Sequence, residues 1–136
     1  MKKIVLLLAL ACSTSFAADW RKVGETQRGD VHIDAASIAQ KGNIRQVLVM
    51  GNYKDAVETG GAENFSFKSY VDLSQYNCKA KTTAIVQEIL YAEHDAKGAT
   101  NHYNPPISKP TYVAPPPNSF SADILQFVCA YPLHKK

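Results

Sequence analysis

Hydrophobic and polar residues alternate along much of the chain, which predicts β-strands more often than helices. The clearest strand is Phe65 to Leu73, whose two faces differ in polarity. One face carries Phe65, Phe67, Ser69, Val71 and Leu73, and the other carries Ser66, Lys68, Tyr70 and Asp72. Period-two alternation of this kind is typical of a strand with one buried face. We therefore expect another layer of the protein to cover the Phe65 face.

Other segments carry strand signals of differing strength. They are Trp20 to Gly24 as a short edge strand, Val31 to Asp34, Ile44 to Tyr53, and Lys79 to His94. The last segment is ambiguous. Its β-branched residues favour a strand, whereas the spacing of Ile85 with Ile89 and of Val86 with Leu90 also fits a helix. The pattern alone favours the strand.

Turn and loop signals separate these strands. Three short stretches have turn or loop chemistry: Ala35 to Ile38, as a tight turn or one helical turn, Lys41-Gly42-Asn43, and Thr59 to Ala62. The segment from Gly98 to Pro117 is rich in Pro and Asn and predicts a long loop, with a short strand at Thr111 to Ala114.

The last predicted element is a helix. Asn118 and Ser119 are favoured N-cap residues, and Pro132 ends the pattern. Between them an apolar stripe recurs at helical spacing, formed by Phe120, Ile124, Phe127, Val128 and Tyr131. Cys129 lies beside this stripe. The helix is therefore expected to lie on a face of the sheet.

The first 17 residues have the organisation of a secretory signal peptide. Lys2 and Lys3 precede a short apolar stretch, and Ser15-Phe16-Ala17 matches the small-x-small cleavage pattern. We expect cleavage between Ala17 and Ala18, which leaves residues 18–136 as one domain. The alternative is lipidation of Cys12, but Ala9 stands where a lipoprotein signal favours Leu.

Cleavage also changes the cysteine count. The chain has three cysteines, and losing Cys12 leaves Cys78 and Cys129. A pair of cysteines in an exported protein predicts a disulfide. Two buried free thiols are the alternative, which an oxidising compartment disfavours. The bridge would tether the helix to the end of the Phe65 strand.

Charge and composition exclude several classes of function. The formal charge is +3, but Lys2 and Lys3 belong to the signal peptide, so the domain is close to neutral. With no basic run we expect no nucleic-acid partner. No second apolar stretch is long enough to span a membrane.

Catalytic and metal-binding patterns are also missing from the sequence. His32, Asp30 and Asp34 could share a strand face, but a spaced third and fourth metal ligand are missing, so this group is interpreted as solvated surface. Glu93-His94-Asp95 and His102 form a second polar cluster, which is interpreted as polarity at a strand end rather than as a general base. The strand serines have no nucleophile-elbow glycines around them. We expect no catalytic residues, no metal and no cofactor.

Several pieces of sequence occur in a distinctive order. They are Val31-His32-Ile33-Asp34 with Ser37-Ile38, the strand Val47 to Tyr53, Ser66 to Tyr70 leading to Asn77-Cys78, Tyr91 with Gly98, and Pro117-Asn118-Ser119 before a helix that carries Val128-Cys129. This order resembles the surface-adhesin protein E family of small exported Gram-negative proteins, over nearly the whole chain after residue 17. The resemblance implies an antiparallel sheet with a disulfide-tethered C-terminal helix. It also favours a strand at Lys79 to His94.

The founding members of that family resemble adhesins that bind host matrix and serum proteins and can dimerise through the sheet. Two departures matter here: the chain lacks a good lipidation signal, and Pro105 to Pro117 replaces a connection that is often shorter. The family offers no binding motif that this sequence matches, so the binding residues stay unknown.

Pattern and resemblance together predict an α+β fold, with an antiparallel sheet of about five to six strands and one C-terminal helix tethered by a disulfide. The expected function is that of a non-catalytic, exported, adhesin-like envelope protein in the periplasm or at the cell surface, with outer-membrane lipidation less favoured. Its expected partners are host or envelope proteins, with a weak homodimer in addition. The alternative is an inhibitor of a periplasmic enzyme such as lysozyme.

Overall fold

The computed structural model describes residues 17–104 and 107–133, and within them seven strands form one antiparallel sheet. The strands are β1 (Trp20–Thr26), β2 (Gly29–Asp34), β3 (Ala39–Lys41), β4 (Ile44–Glu58), β5 (Ser66–Asn77), β6 (Thr82–Glu93) and β7 (Lys97–Asn104). Their order in the sheet is β1-β2-β4-β5-β6-β7, and the short β3 pairs with the beginning of β4. One helix, α1 (Phe120–Ala130), follows the last strand. The predicted α+β architecture with a C-terminal helix is confirmed.

The turn after β2 is a single 3-10 turn at Ala35–Ser37, as the sequence indicated. The Asp34 carboxylate caps it by accepting hydrogen bonds from the backbone N–H groups of Ala36, at 3.1 Å, and Asp19, at 2.8 Å. The Ser37 hydroxyl accepts a hydrogen bond from Leu48 N at 2.9 Å. These bonds join the start of the domain, the turn and the central strand β4.

The helix covers the opposite face of β5 from the one predicted. Strand β5 begins at Ser66. The side chains that lie beneath the helix are those of every second residue from Tyr70 onward, namely Tyr70, Asp72, Ser74 and Tyr76. Tyr76 is 3% exposed and packs in the core with the helix. The prediction failed because it judged β5 alone, whereas the apolar surface that attracts the helix comes mainly from β2 and β4.

That apolar core lies between α1 and the centre of the sheet. It comprises Ile33, Ile38, Val47, Val49, Tyr76, Ile124, Leu125 and Val128. In the helix the buried side chains are Ile124, Leu125 and Val128. Phe127, which was expected in the apolar stripe, is 36% exposed and instead stacks near Tyr131, with ring centroids 5.9 Å apart.

Two glycines make room for aromatic rings on the covered face. Gly24 and Gly51 flank Val31 in one row across β1, β2 and β4. A Cβ atom at Gly24 would lie 2.6 Å from the ring of Phe120, and one at Gly51 would lie 2.2 Å from the ring of Tyr70. Because such distances are far inside van der Waals contact, these positions accept no side chain unless the rings move.

Both ends of the helix are fastened. At the N-terminus the Ser119 hydroxyl accepts a hydrogen bond from Ala122 N at 3.2 Å, which confirms Ser119 as the N-cap. At the C-terminal end Arg45 Nη1 donates to the carbonyls of Val128 and Tyr131. A guanidinium at this end also complements the helix dipole. Two of the carbonyls at this end of the helix thereby gain a side-chain partner.

The predicted disulfide is confirmed. Cys78, directly after β5, is bonded to Cys129 in the last turn of α1, with a Cα–Cα distance of 5.6 Å. The bridge therefore joins the helix to the turn between β5 and β6.

Several segment predictions need adjustment. Lys79 to His94 does contain a strand, β6. The predicted loop from Gly98 is wrong in its first part, because β7 occupies Lys97–Asn104. That strand is mostly polar and lies at the sheet edge, so it lacks the apolar alternation that reveals buried strands. The expected strand at Thr111 to Ala114 is reduced to one bridge between Val113 and Thr83.

The disulfide generates a prediction about stability. The bridged cysteines are 51 residues apart, so the chain-entropy model gives about 4 kcal/mol of stabilisation. A Cys78→Ala/Cys129→Ala variant should lose about 2–5 kcal/mol of unfolding free energy, measured by urea denaturation. Wild type in reductant should lose a similar amount, whereas reductant should not affect the double variant. An unchanged unfolding midpoint would show that the core alone holds the helix.

Candidate functional site

A cavity opens between the first turn of α1 and the sheet. Its volume is about 460 Å³. Strand β5 forms its floor, and Phe120 and Ile124 of the helix form one wall. At its rim stand two apolar side chains, Ile85 and Val113, which are 47% and 57% exposed. The cavity is thus reachable from solvent, although its floor is buried.

The floor of the cavity contains a buried carboxyl group, Asp72. Its residue is 6% exposed, and it lies between Val49 of β4 and Glu88 of β6 in the strand register. The Asp72 side chain is hydrogen-bonded to that of Glu88. Two carboxyl groups can form such a bond only if one carries a proton. The other Asp72 oxygen, Oδ1, has no hydrogen-bond partner among the described residues.

Burial dominates the electrostatics of this floor. It raises the pKa of Asp72 to about 9, with the hydrogen bond to Glu88 and the charge of Glu88 adding to the effect. Burial also raises the pKa of Tyr70 and raises that of Tyr76 to about 12. The site therefore holds a shared proton between two carboxyls, with neutral phenols beside it. Chemically it can accept and donate hydrogen bonds and can release one proton.

The opposite face of the sheet has no helix on it within the described chain. The strand register places five apolar side chains there: Leu48, Met50, Val71, Leu73 and Ile89. Met50 is buried among its neighbours, and the other four are only half-buried. We call these five residues the open face. Half-exposed apolar side chains on a sheet face that no described helix covers form a candidate interaction surface.

Amide groups border the open face at one end. Gln46 and Gln75 lie side by side on β4 and β5, and Gln75 Nε2 donates to Gln46 Oε1 at 3.0 Å. The Tyr112 hydroxyl donates to Gln75 Oε1. The border is therefore polar, but its groups are already partly satisfied by one another.

The His32 cluster does not assemble as the sequence suggested. His32 Nε2 lies 2.9 Å from Asp30 Oδ1, but Asp34 is occupied as the cap of the 3-10 turn. Within residues 17–104 and 107–133, no three His, Cys, Asp or Glu side chains are grouped so that they could hold a metal ion.

The second polar cluster and Ser69 have structural roles. His94 Nε2 lies 2.6 Å from the carbonyl oxygen of Tyr53, and Asp95 is hydrogen-bonded to Asn52. The Ser69 hydroxyl, which is fully buried, donates to Glu93 O at 2.6 Å and accepts from Ala96 N at 3.0 Å. These contacts fix the tight turn between β6 and β7 onto the central strands.

The predicted cleavage site lies at the margin of the described chain. Ala17 and Ala18 are exposed and precede β1, whereas residues 1–16 of the expected signal peptide lie outside the described residues. Among the residues described, no helix is both long and apolar enough to cross a membrane.

The sequence interpretation missed the Asp72–Glu88 pair. Asp72 falls on the face of the strand that alternation marks as polar, where an acid needs no partner, so no local signal marked its burial. The partner could not be identified, since pairing Asp72 with Glu88 requires the register of β5 against β6. That register contains an irregularity between Leu73 and Ser74.

The raised pKa of Asp72 predicts how stability depends on pH. The folded protein keeps a proton that the unfolded chain loses near the ordinary value of 3.8. Between pH 4 and pH 9 the unfolded chain binds fewer protons at this group than the folded protein does, so the group lowers stability progressively as pH rises, by about 1.4 kcal/mol per pH unit at most. An Asp72→Asn variant cannot ionise there and should be more stable than wild type at pH 8. Urea unfolding at pH 5, 7 and 9 measures the difference.

The matched control is Asp123→Asn, which removes an equal charge from an exposed position on α1. This variant should follow the wild-type pH profile. If the Asp72→Asn and wild-type profiles run parallel, Asp72 keeps its ordinary acidity in the folded protein and the prediction is wrong.

Comparisons with known proteins agree with this architecture. Residues 20–130 match the family model described as surface-adhesin protein E. No curated protein sequence matches the chain. The structure is similar to crystal form II of Haemophilus influenzae protein E, with a TM-score of 0.65, 17% identity, and coverage of 89% of this chain and 94% of that one. It is also similar to protein E from non-typeable Haemophilus influenzae, with a TM-score of 0.61, 18% identity, and coverage of 89% and 82%.

The structural likeness, at this level of identity, concerns the fold. The family match spans most of the sequence and includes all seven strands and the helix. The chain therefore belongs to the surface-adhesin protein E family of adhesin-like surface proteins.

Proposed function

We propose that this protein is a non-catalytic, exported envelope protein that binds other proteins through the open face of its sheet. The observation that carries the proposal is the group of half-buried apolar side chains on the face opposite the helix. Family membership supports protein binding as the activity.

The chemistry of the open face suits a protein partner. Non-obligate protein interfaces combine an apolar centre with a polar rim. Here Val71 and Leu73 lie at the centre, with the Gln46–Gln75 amides towards one end and the His32–Asp30 pair towards an edge. Amides and an imidazole can exchange hydrogen bonds with a partner without the desolvation cost of an isolated buried charge.

The proposed partners are host matrix or serum proteins, or proteins of the same cell envelope. A second copy of the chain can use the same surface, because two-fold pairing brings identical patches together. We expect this homodimer to be weak, because the five apolar side chains are already half-buried or buried in the monomer and leave little apolar surface for a second copy to cover. The alternative function is inhibition of an enzyme such as lysozyme. The binding experiment described below includes lysozyme and so distinguishes this alternative from adhesin-like binding.

Export precedes this function. Signal peptidase cleaves between Ala17 and Ala18, and residues 18–136 form the exported domain in the periplasm or at the cell surface. The mass of the intact secreted protein should correspond to a chain that starts at Ala18. A diacylglycerol mass on Cys12 would instead establish a lipoprotein.

The open face predicts which substitutions abolish binding. Leu73→Lys places a charge at the centre of the face, and desolvating it should weaken partner binding at least tenfold, or about 1.4 kcal/mol. Phe127→Lys is the matched control, because Phe127 is apolar, is 36% exposed, and lies on the helix that covers the opposite face of the sheet. Surface plasmon resonance against purified host matrix and serum proteins, with lysozyme alongside, measures the effect.

Circular dichroism should show that both variants are folded, and light scattering should show that Leu73→Lys also loses any dimer. Equal loss in the two variants, or full binding by Leu73→Lys, would place the interface elsewhere. Binding to lysozyme alone would replace the adhesin-like function with enzyme inhibition.

A further inference from the structure

A second cavity runs along α1 next to the disulfide, with a volume of about 620 Å³. Three parts of the chain form its walls: the helix from Ala122 to Ala130, the turn after β5 at Cys78 and Lys81, and Ala114-Pro115 of the Pro-rich segment. The bond between Cys78 and Cys129 holds the first two walls together. We call this cavity the disulfide groove.

The wall of the disulfide groove is mostly apolar. On the helix it is lined by Ala122, Leu125 and Ala130, and the two alanines bracket about 12 Å of helix axis. Lys81 and Gln126 are the only strongly polar side chains among the described residues that line it. An apolar cavity of this volume with a few polar groups is the usual form of a small-molecule site. The groove therefore has room for an elongated apolar group with one polar end.

The charge of the groove specifies that polar end. Lys81 is the only charged side chain among the described residues that line it, and neither Asp nor Glu is included. The Lys81 ammonium makes no hydrogen bond or ion pair within residues 17–104 and 107–133. A cation without a partner beside an apolar wall complements an anion that carries an apolar body.

The backbone at Lys81 supports a function for its side chain. Lys81 has a φ angle of 58°, in the left-handed region that glycine and asparagine adopt more readily than lysine does. The turn holds it there, since Lys81 N donates to Asn77 O at 2.8 Å, while Lys79 N and Ala80 N donate to Asn77 Oδ1. A lysine retained in a conformation that disfavours it is a feature typical of functional positions.

We propose that the disulfide groove binds a free alkyl carboxylate of medium chain length, with its carboxylate at Lys81 and its chain against the helix. The apolar chain needs no hydrogen-bond partner. The carboxyl end of a peptide fits less well, because its backbone amides would lose hydration and Gln126 is the one side-chain amide on the described wall. This small-molecule site is separate from the open face and goes beyond the protein binding proposed for that surface.

The experiment is calorimetric titration of the folded, oxidised protein with octanoate, with 1-octanol as the uncharged comparison. Octanoate should bind, and added salt should weaken its binding more than that of octanol, because salt screens the charge of Lys81. Butanoate lacks four of the CH₂ groups and should bind more than about tenfold more weakly than octanoate.

A pair of variants in one turn tests the role of the charge. Lys81→Gln should lower the ratio of octanoate to octanol affinity by roughly fivefold, the upper range for one exposed ion pair. Lys79→Gln is the matched control, because Lys79 is exposed in the same turn and does not line the groove. This control should keep the wild-type ratio.

A second pair tests the position of the chain. Gln126 and Phe127 are neighbouring exposed residues of α1, but only Gln126 lines the groove. Gln126→Trp should therefore weaken octanoate binding, whereas Phe127→Trp should not. Circular dichroism establishes that all four variants are folded. Leu73→Lys should bind octanoate as wild type does, so the groove and the open face are tested independently.

The proposal is overturned if octanoate does not bind, if butanoate binds equally well, or if Lys81→Gln keeps the wild-type ratio of affinities. Equal loss in Lys79→Gln would also overturn it, since the charge would then act from anywhere in the turn. Tighter binding of N-acetyl-leucine than of octanoate would identify a site for peptide carboxyl ends and replace the alkyl carboxylate.

Discussion

A single sheet has two faces, and one short helix can cover only part of one of them. The helix has 11 residues, which gives a length of about 16 Å, whereas six neighbouring strands span about 24 Å. The protein places α1 across the sheet, in contact with β1, β4, β5 and β6, and fastens it at the C-terminal end by the Cys78–Cys129 bond and Arg45. Both candidate surfaces follow from this limited coverage. The open face lies where the helix is absent, and the cavity lies beside the first turn of the helix, against β5.

The sequence predicted the elements better than their arrangement. The helix boundaries followed from Ser119 and Pro132, and the disulfide followed from two cysteines left in an exported chain. The face of β5 that meets the helix was predicted wrongly. Alternation in one strand shows that its two faces differ, but packing is decided by the neighbours on both sides. Val47 and Val49 on β4 show which face of β5 lies in the core, but only once the register of β4 against β5 is known.

The edge of the sheet and the site were harder to predict for related reasons. Strand β7 is polar and is held by backbone pairing with β6, and Ser69 fixes the turn that precedes it; no local pattern reveals either contact. Asp72 was assigned to a polar, exposed face, and its burial results from a helix that lies about 50 residues further along the chain. Long-range burial of this kind changes the chemistry of a residue without changing the sequence around it.

The row formed by Gly24, Val31 and Gly51 has a consequence for how this fold can diverge. The rings of Phe120 and Tyr70 occupy the volume that side chains at the two glycines would fill. A larger residue at position 24 is compatible with the same helix placement only if the residue at position 120 becomes smaller. In the same way, a larger residue at position 51 requires a smaller one at position 70. Substitutions at the two positions of each pair should therefore occur together in related sequences. A sequence in which only one position of a pair has changed would indicate that its helix or ring packs differently on the sheet.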